Sequence, residues 1–337
     1  MLDLIIPSVM TMMTAATPLI FAATGELICE KSGVLNLGVE GMMLVGAVFG
    51  FIGATVTGDP YMGLVIGAFS GIMASLIFAI LTLLLVSNQV ATGLALTIFG
   101  TGLSALVGAN YVGETIDRIR PLYVPDAADG PSVAQLFFGH DPVVYLGLLV
   151  LLACAGFLSR SRWGMILRAV GDSDVSAHAI GYPVIRIRFA AVAFGGMMAG
   201  IGGAYLSLAY TPLWAENMSA GRGWIALALV VFASWRPIRV LFGAVLFGGI
   251  TIVQLNAQAI GLGIPGAIMS MLPYLATIIV LVLISSNAMR IRLNAPACLA
   301  QPFRAERCLG NSSLTLLKWT HYLLTNVLPT ENTHENS

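Results

Sequence analysis

The run Gly25 to Ser32 comes within one position of a phosphate-binding loop. Such a loop reads G-x-x-x-x-G-K-[ST], because glycine lets backbone amides close on the phosphates. Here Glu30 stands where the second glycine belongs, ahead of Lys31 and Ser32, and would set a negative charge beside them. The run is therefore no nucleotide site and reads instead as a polar membrane boundary. Cys29, Cys154, Cys298 and Cys308 are scattered without zinc-type spacing. Cys29 and Cys154 lie in or beside apolar runs and read as small core hydrophobes. His140, His178, His321 and His334 all fall outside the apolar runs long enough to cross a bilayer. An intramembrane enzyme would need paired groups at depth, so no catalytic residue, metal site or cofactor follows from these positions.

Glu40 is different, because it stands just inside an apolar run, in Val39-Glu40-Gly41-Met42-Met43. An ionised carboxylate at mid-membrane costs at least about 2.5 kcal/mol, so it must face protein or water. Three partners are open to it: Lys31 or a loop arginine, helix-end amides near the kink implied by Gly38 and Gly41, or a substrate. Segment 88–110 carries Asn88, Gln89, Thr92, Thr97, Thr101, Ser104 and Asn110, and Asn88, Thr92 and the neighbourhood of Phe99 recur at helical spacing. Hydrogen bonds between helices, at about 1 kcal/mol each, explain such residues; so does the lining of a polar pathway. Glu40, Asn88, Gln89, Thr92 and Phe99 are the candidate pathway residues. Asn256 and Gln258 read as interfacial. The span interiors otherwise hold almost no charge, so nothing at depth could meet a phosphorylated solute. A neutral, hydroxyl-bearing solute fits such a lining.

These residues sit in a chain of 337 residues, 58% hydrophobic and 9% charged, with a mean hydropathy of +0.90. A soluble domain carries about 25% charged residues. The solvent for most of this chain must be lipid, and the fold class is an all-α polytopic membrane bundle. The formal net charge is zero, which leaves no bulk electrostatic case for nucleic acid. Met1 to Leu4 contains no Lys or Arg, unlike the start of a secretory signal peptide, so the first apolar run reads as a mature span. Expected spans are 5–27, 38–58, 62–86, 90–112, 143–158, 187–210, 223–234, 240–256 and 267–287, about nine in a range of eight to ten. The segment 223–234 is too short for a full crossing: about 12 residues rise about 18 Å, against a core of about 30 Å. Gly46-x-x-x-Gly50, Gly63-x-x-x-Gly67-x-x-x-Gly71 and Gly196-x-x-x-Gly200 place small residues on one helix face, where backbones can meet.

Lys and Arg set the orientation. The loop 159–188 carries Arg160, Arg162, Arg168, Arg186 and Arg188, the break at 235–239 carries Arg236 and Arg239, and Arg290 and Arg292 follow the last span. All three are expected in the cytoplasm. The connection 113–142, with Glu114, Asp117, Asp126, Asp129 and Asp141 against Arg118 and Arg120, is expected outside. The N-terminus then lies outside and the C-terminus inside, provided that 223–234 crosses or half-crosses. The expected division is a membrane domain over 1–293 and an unassigned cytoplasmic tail over 294–337.

Within the first basic loop, Asp172, Ser173 or Asp174 can cap a helix, while Gly181 suits its C′ position and Pro183 stops it. The product is an isolated helix of about two turns, too short to stand alone in water, so it needs something to dock against. Val175 and Ala179, four apart on one face, would make that contact. An ordinary ordered loop is the alternative.

Gly164-Met-Ile-Leu-Arg-Ala-Val-Gly171, then Ala177-His-Ala-Ile-Gly181, then Gly195-Gly-Met-Met-Ala-Gly-Ile-Gly-Gly-Ala204, resemble ABC-transporter permeases of the simple-sugar, nucleoside and branched-chain amino acid group. Gly33-Val-Leu-Asn-Leu-Gly-Val-Glu-Gly-Met-Met43 and Asn88-Gln-Val-Ala-Thr-Gly-Leu-Ala-Leu96 resemble the nucleoside-type members more narrowly. The resemblance covers about residues 5–290. It implies a permease subunit with eight to ten spans in a bacterial plasma (inner) membrane, carrying out no covalent chemistry. Its implied partners are an ABC ATPase subunit, a second permease that is a different chain, and an extracytoplasmic solute-binding lipoprotein; its cargo is a small neutral solute, a nucleoside ahead of a simple sugar or branched-chain amino acid. Residues Asp172, Ser173, Asp174, Val175, Ala177, Ala179 and Gly181 become the ATPase-coupling loop. An ion-coupled secondary transporter is the competing class, but it tends to bury carboxylates at broken helices, and one Glu near a boundary is thin support for it.

Overall fold

The computed structural model describes residues 2–122, 138–259 and 294–303, with scattered positions between 268 and 282. The described residues form helices joined by short turns. They are α1 (Leu2–Lys31), α2 (Val39–Thr57), α3 (Pro60–Ala79, prolonged by a π turn over Ile80–Leu84), α4 (Gln89–Gly108), α5 (Pro142–Arg160), α6 (Arg162–Asp172), α7 (Asp174–Ala179), α8 (Val184–Tyr205, prolonged by a π turn over Leu206–Tyr210), α9 (Arg222–Phe232) and α10 (Pro237–Ala259). Seven stretches among them are long and apolar enough to cross a bilayer, and α9 is a shorter apolar helix. The expected last span, 267–287, lies for the most part outside the described residues.

The turns follow local chemistry. Between α2 and α3, Gly58 takes a left-handed φ of +71°, the Asp59 side chain accepts from the Tyr61 amide at 2.9 Å, and Pro60 opens the next helix. A proline at that first position lacks only an N–H that would be orphaned there anyway.

The centre of the bundle is a close-packed trio, α2, α3 and α8, with α1 laid against α8 and α10 running along α1. The three glycine repeats meet there. A methyl group built at Gly46 would lie against the Gly200 backbone, one at Gly71 against Gly196, and one at Gly63 2.5 Å from the Gly50 carbonyl oxygen. In lipid, helices associate through such packing rather than through hydrophobic burial, and small residues let the backbones touch.

Three expectations need correction. The first helix does not end near 27 but continues to Lys31, so Gly25 to Glu30 is buried helix and Lys31 stands half-buried at its end. Glu26 and Glu30 read as boundary residues because of their charge, yet they are 1% and 0% exposed and bonded to protein. The basic loop after α5 holds an additional eleven-residue helix, α6, whose Leu167, Val170 and Gly171 are buried while Trp163 and Met165 face out. The two-turn helix α7 is therefore not isolated, because it packs against its own chain.

Candidate functional site

Ser173 caps α7: its hydroxyl accepts from the Ser176 amide at 3.3 Å. At the other end Gly181 is left-handed, with φ +94°. The Tyr182 amide donates back to the Ala177 carbonyl and the Gly181 amide to that of His178, the paired closure typical of a glycine-terminated helix. The inward face of α7 carries Asp174 and Ala177. Ala177 packs with Val170 and Val184, and Phe303 leans on that cluster. Asp174 meets Arg188, which is 0% exposed, at 3.1 Å. The same guanidinium donates to the Ser32 carbonyl at 3.1 Å and to the Gln301 carbonyl at 3.4 Å. One arginine thus ties together the end of α1, helix α7 and the segment 294–303. That segment is held further by Cys298 N to Gly171 O at 2.9 Å, Lys31 Nζ to Asn294 O at 2.7 Å, and the Phe303 ring edge-on to His178. The outward face of α7 shows Val175, Ser176, Ala179 and the 74% exposed Ile180; Asp172 and Gly181 are exposed too.

The second feature is a pair of breaks inside the bundle. Residues 32–38 leave the helix and remain almost wholly buried. Buried non-helical backbone must find partners for its polar groups. Side chains supply them: Glu26 Oε1 accepts from the Asn36 amide at 3.1 Å, Gln89 Oε1 from the Leu35 amide at 2.9 Å, Asn36 Oδ1 from the Gly38 amide at 3.0 Å, and the Thr97 hydroxyl donates to the Leu37 carbonyl at 3.0 Å. The second break, before α9, bends through positive φ at Asn217, Ala220 and Gly221. Glu40 closes it. Its Oε1 accepts from the Ser219 hydroxyl at 2.6 Å and the Gly221 amide at 2.7 Å, and its Oε2 from the Gly223 amide at 2.6 Å. The far end of α9 is fixed by Trp235, whose indole N–H donates to Glu30. A carboxylate is well matched to the positive N-terminal end of a helix, and two carboxylates on neighbouring elements thus hold the two ends of this half-length helix.

The chain matches, over residues 8–282, the family described as branched-chain amino acid transport system / permease component. It belongs to that permease family. Relatives include a Haloferax volcanii protein provisionally named a glucose ABC transporter permease, 42% identical over 87% of this chain and 95% of that one. A nucleoside ABC transporter permease of Lactococcus lactis is 31% identical over 83% and 92%, and a guanosine ABC transporter permease of Bacillus subtilis is 29% identical over 83% and 91%. The permease is a multi-pass plasma-membrane subunit of the sugar and nucleoside ABC group. Such a subunit performs no catalysis itself and works beside an ATPase and a solute-binding protein.

Among the candidate pathway residues, the permease fold separates what the spacing had grouped. Glu40 bonds to the α9 end rather than to Lys31, whose amine goes to Asn294. Gln89 is buried and serves the 32–38 break. Asn88 caps α4, accepting from the Ala91 amide at 3.0 Å, and Thr92 pairs with the Ser87 hydroxyl at 2.8 Å. Phe99 is 53% exposed on the opposite face of α4 from Gly93, Thr97 and Gly100, which pack on Leu37 to Gly41. Sequence reasoning counted Arg188 only as a loop charge and missed its role as a hub. It also missed Glu26, Asn36, Ser219 and Trp235. A charge pair four apart, Glu26 and Glu30, in an otherwise apolar run was the available signal for a break nearby.

Proposed function

We propose that the permease imports a neutral, hydroxyl-rich solute, a nucleoside in the first instance, and that α7 is the part moved by the ATPase. The observation that supports the coupling role is the outward face of α7: a capped helix, anchored from behind by a buried ion pair, that leaves Val175, Ala179 and Ile180 open. A rigid anchor on one side and an apolar face on the other is what transmission of a push requires. On this reading the arginine-rich end is cytoplasmic, the N-terminus is outside, and a second permease completes the pathway. On the same reading Glu40 and Gln89 shape the two breaks beside that pathway, Asn88 and Thr92 the turn into α4, and Phe99 stands on its open side.

Nucleoside is favoured by the patches 33–43 and 88–96. A simple sugar is the second reading, favoured by the relative with 42% identity. Reconstitution in proteoliposomes with the ATPase, the partner permease and the binding protein decides between them, by ATP-dependent uptake of labelled nucleoside against labelled glucose. Ion-driven uptake by this chain alone would overturn the ABC mechanism. For the coupling face, Ala179→Asp is expected to abolish ATP-dependent uptake while leaving the amount of inserted protein unchanged. Normal uptake by that variant would remove α7 from the mechanism.

A further inference from the structure

Beside the basic end of the bundle lies a half-open cavity of 470 Å³ between α1, α5, α6 and α8. Its walls are almost wholly apolar: Ile28, Phe157, Ala190 and Phe194 are among its lining, and Trp163 and Arg186 line it as exposed residues at its mouth. The volume falls in the range of about 300–1,000 Å³ typical of ligand pockets, but the lining cannot suit the solute, because it offers no hydroxyl, amide or carboxylate partner for a sugar or a base.

Three observations point to another occupant. Along α8 the cavity runs from Pro183 to Phe194, a rise of about 16 Å, which is about one leaflet of a hydrocarbon core about 30 Å thick. At its mouth Trp163, 69% exposed, presents an amphipathic ring of the kind that settles at headgroup level. Arg186 lines that mouth and Arg162 adjoins Trp163; both are exposed, and neither has an ion-pair partner among the described residues. A helix from another subunit would have to bring acidic residues to this rim, whereas a phosphodiester brings its charge with it.

We infer that this cavity is a binding site for an anionic phospholipid, one acyl chain lying along α8 toward Phe194 and the phosphate held by Arg186 and Arg162. The site is structural to the moving part as well: α6, which forms one wall, leads directly into α7, so an occupied cavity backs the helix on which the ATPase is proposed to push. The inference rests on the membrane crossing of α5 and α8 and does not depend on which solute is carried or on α7 coupling.

The test uses the assembled transporter in nanodiscs. Phosphatidylglycerol brominated on its acyl chains is titrated into a phosphatidylcholine background, and brominated phosphatidylcholine serves as the control. Subtracting the emission of Trp163→Phe isolates Trp163. Brominated phosphatidylglycerol is expected to quench Trp163 at a lower mole fraction than brominated phosphatidylcholine, and each of Arg162→Gln and Arg186→Gln is expected to lower that preference about fivefold. Native mass spectrometry of the wild-type protein should show retained phosphatidylglycerol that is lost in Ala190→Phe, which fills the cavity. Equal quenching by the two lipids would mean ordinary solvation by bulk lipid. No quenching in the assembled complex would mean that a partner helix occupies the cavity. Either result overturns the assignment.

Discussion

The buried carboxylates show how a charge can be structural in a membrane. Glu40 accepts from two backbone amides and a hydroxyl, and each buried donor left without a partner costs about 1–3 kcal/mol. Glu40→Ala is therefore expected to lower the thermal midpoint of the purified permease, with Glu40→Gln falling between it and the wild type because one acceptor oxygen remains. If both variants melted like the wild type but lost uptake, Glu40 would be a solute contact instead. The same logic applies with more force at Arg188. Its removal strands Asp174, and breaking a buried ion pair from one side costs about 3–5 kcal/mol. Arg188→Lys cannot restore the set, because a single ammonium cannot span the Ser32, Asp174 and Gln301 acceptors as a planar fork does.

At the level of elements, the basic end works as a sandwich. Helix α7 is pressed between α8 and the segment 294–303, with Phe303 against Ala177 and His178. A six-residue helix has no stability of its own, so its position depends on both neighbours. Phe303→Ala, or truncation after Leu293, is expected to leave insertion and assembly intact by size-exclusion chromatography while reducing uptake per ATP hydrolysed severalfold. Unchanged coupling in both variants would show that Arg188 and Asp174 alone hold α7. The cap at Ser173 and the stop at Gly181 were legible in the sequence, because capping and left-handed closure are local rules. The brace was not legible, since Gln301 and Ser32 lie 113 and 156 residues from Arg188 and no local pattern joins them. Helix α6 was missed for a related reason: it lies just after a span, and its charge reads as loop.

Over the whole molecule, most span positions could be read from apolar runs to within a few residues, because in lipid only a helix satisfies its own backbone. What could not be read is how the breaks between helices are completed. The gaps at 28–37 and 211–222 could be read as places where a span ends, but not as buried backbone completed by side chains from other helices, among them Glu26, Gln89 and Glu40. The glycine repeats were legible as packing faces, but not as a single interface. Gly200 is where both partners of α8 meet: a side chain there would run into Gly67 and Gly71 of α3, and its backbone lies against Gly46 of α2. Overpacking a well-filled interior costs about 1–3 kcal/mol when side chains can yield, and here the neighbours are backbone, which cannot. Gly200→Val is accordingly expected to push α8 off both partners and lower the melting midpoint more than Gly102→Val, which meets open space on α4. Because α8 also carries Arg188, the shift should reach α7 and weaken ATPase coupling in whatever protein remains folded. If Gly200→Val melts like Gly102→Val, the trio is not the core that positions the basic end, and the mechanical link from transport helices to α7 must run through α5 and α6.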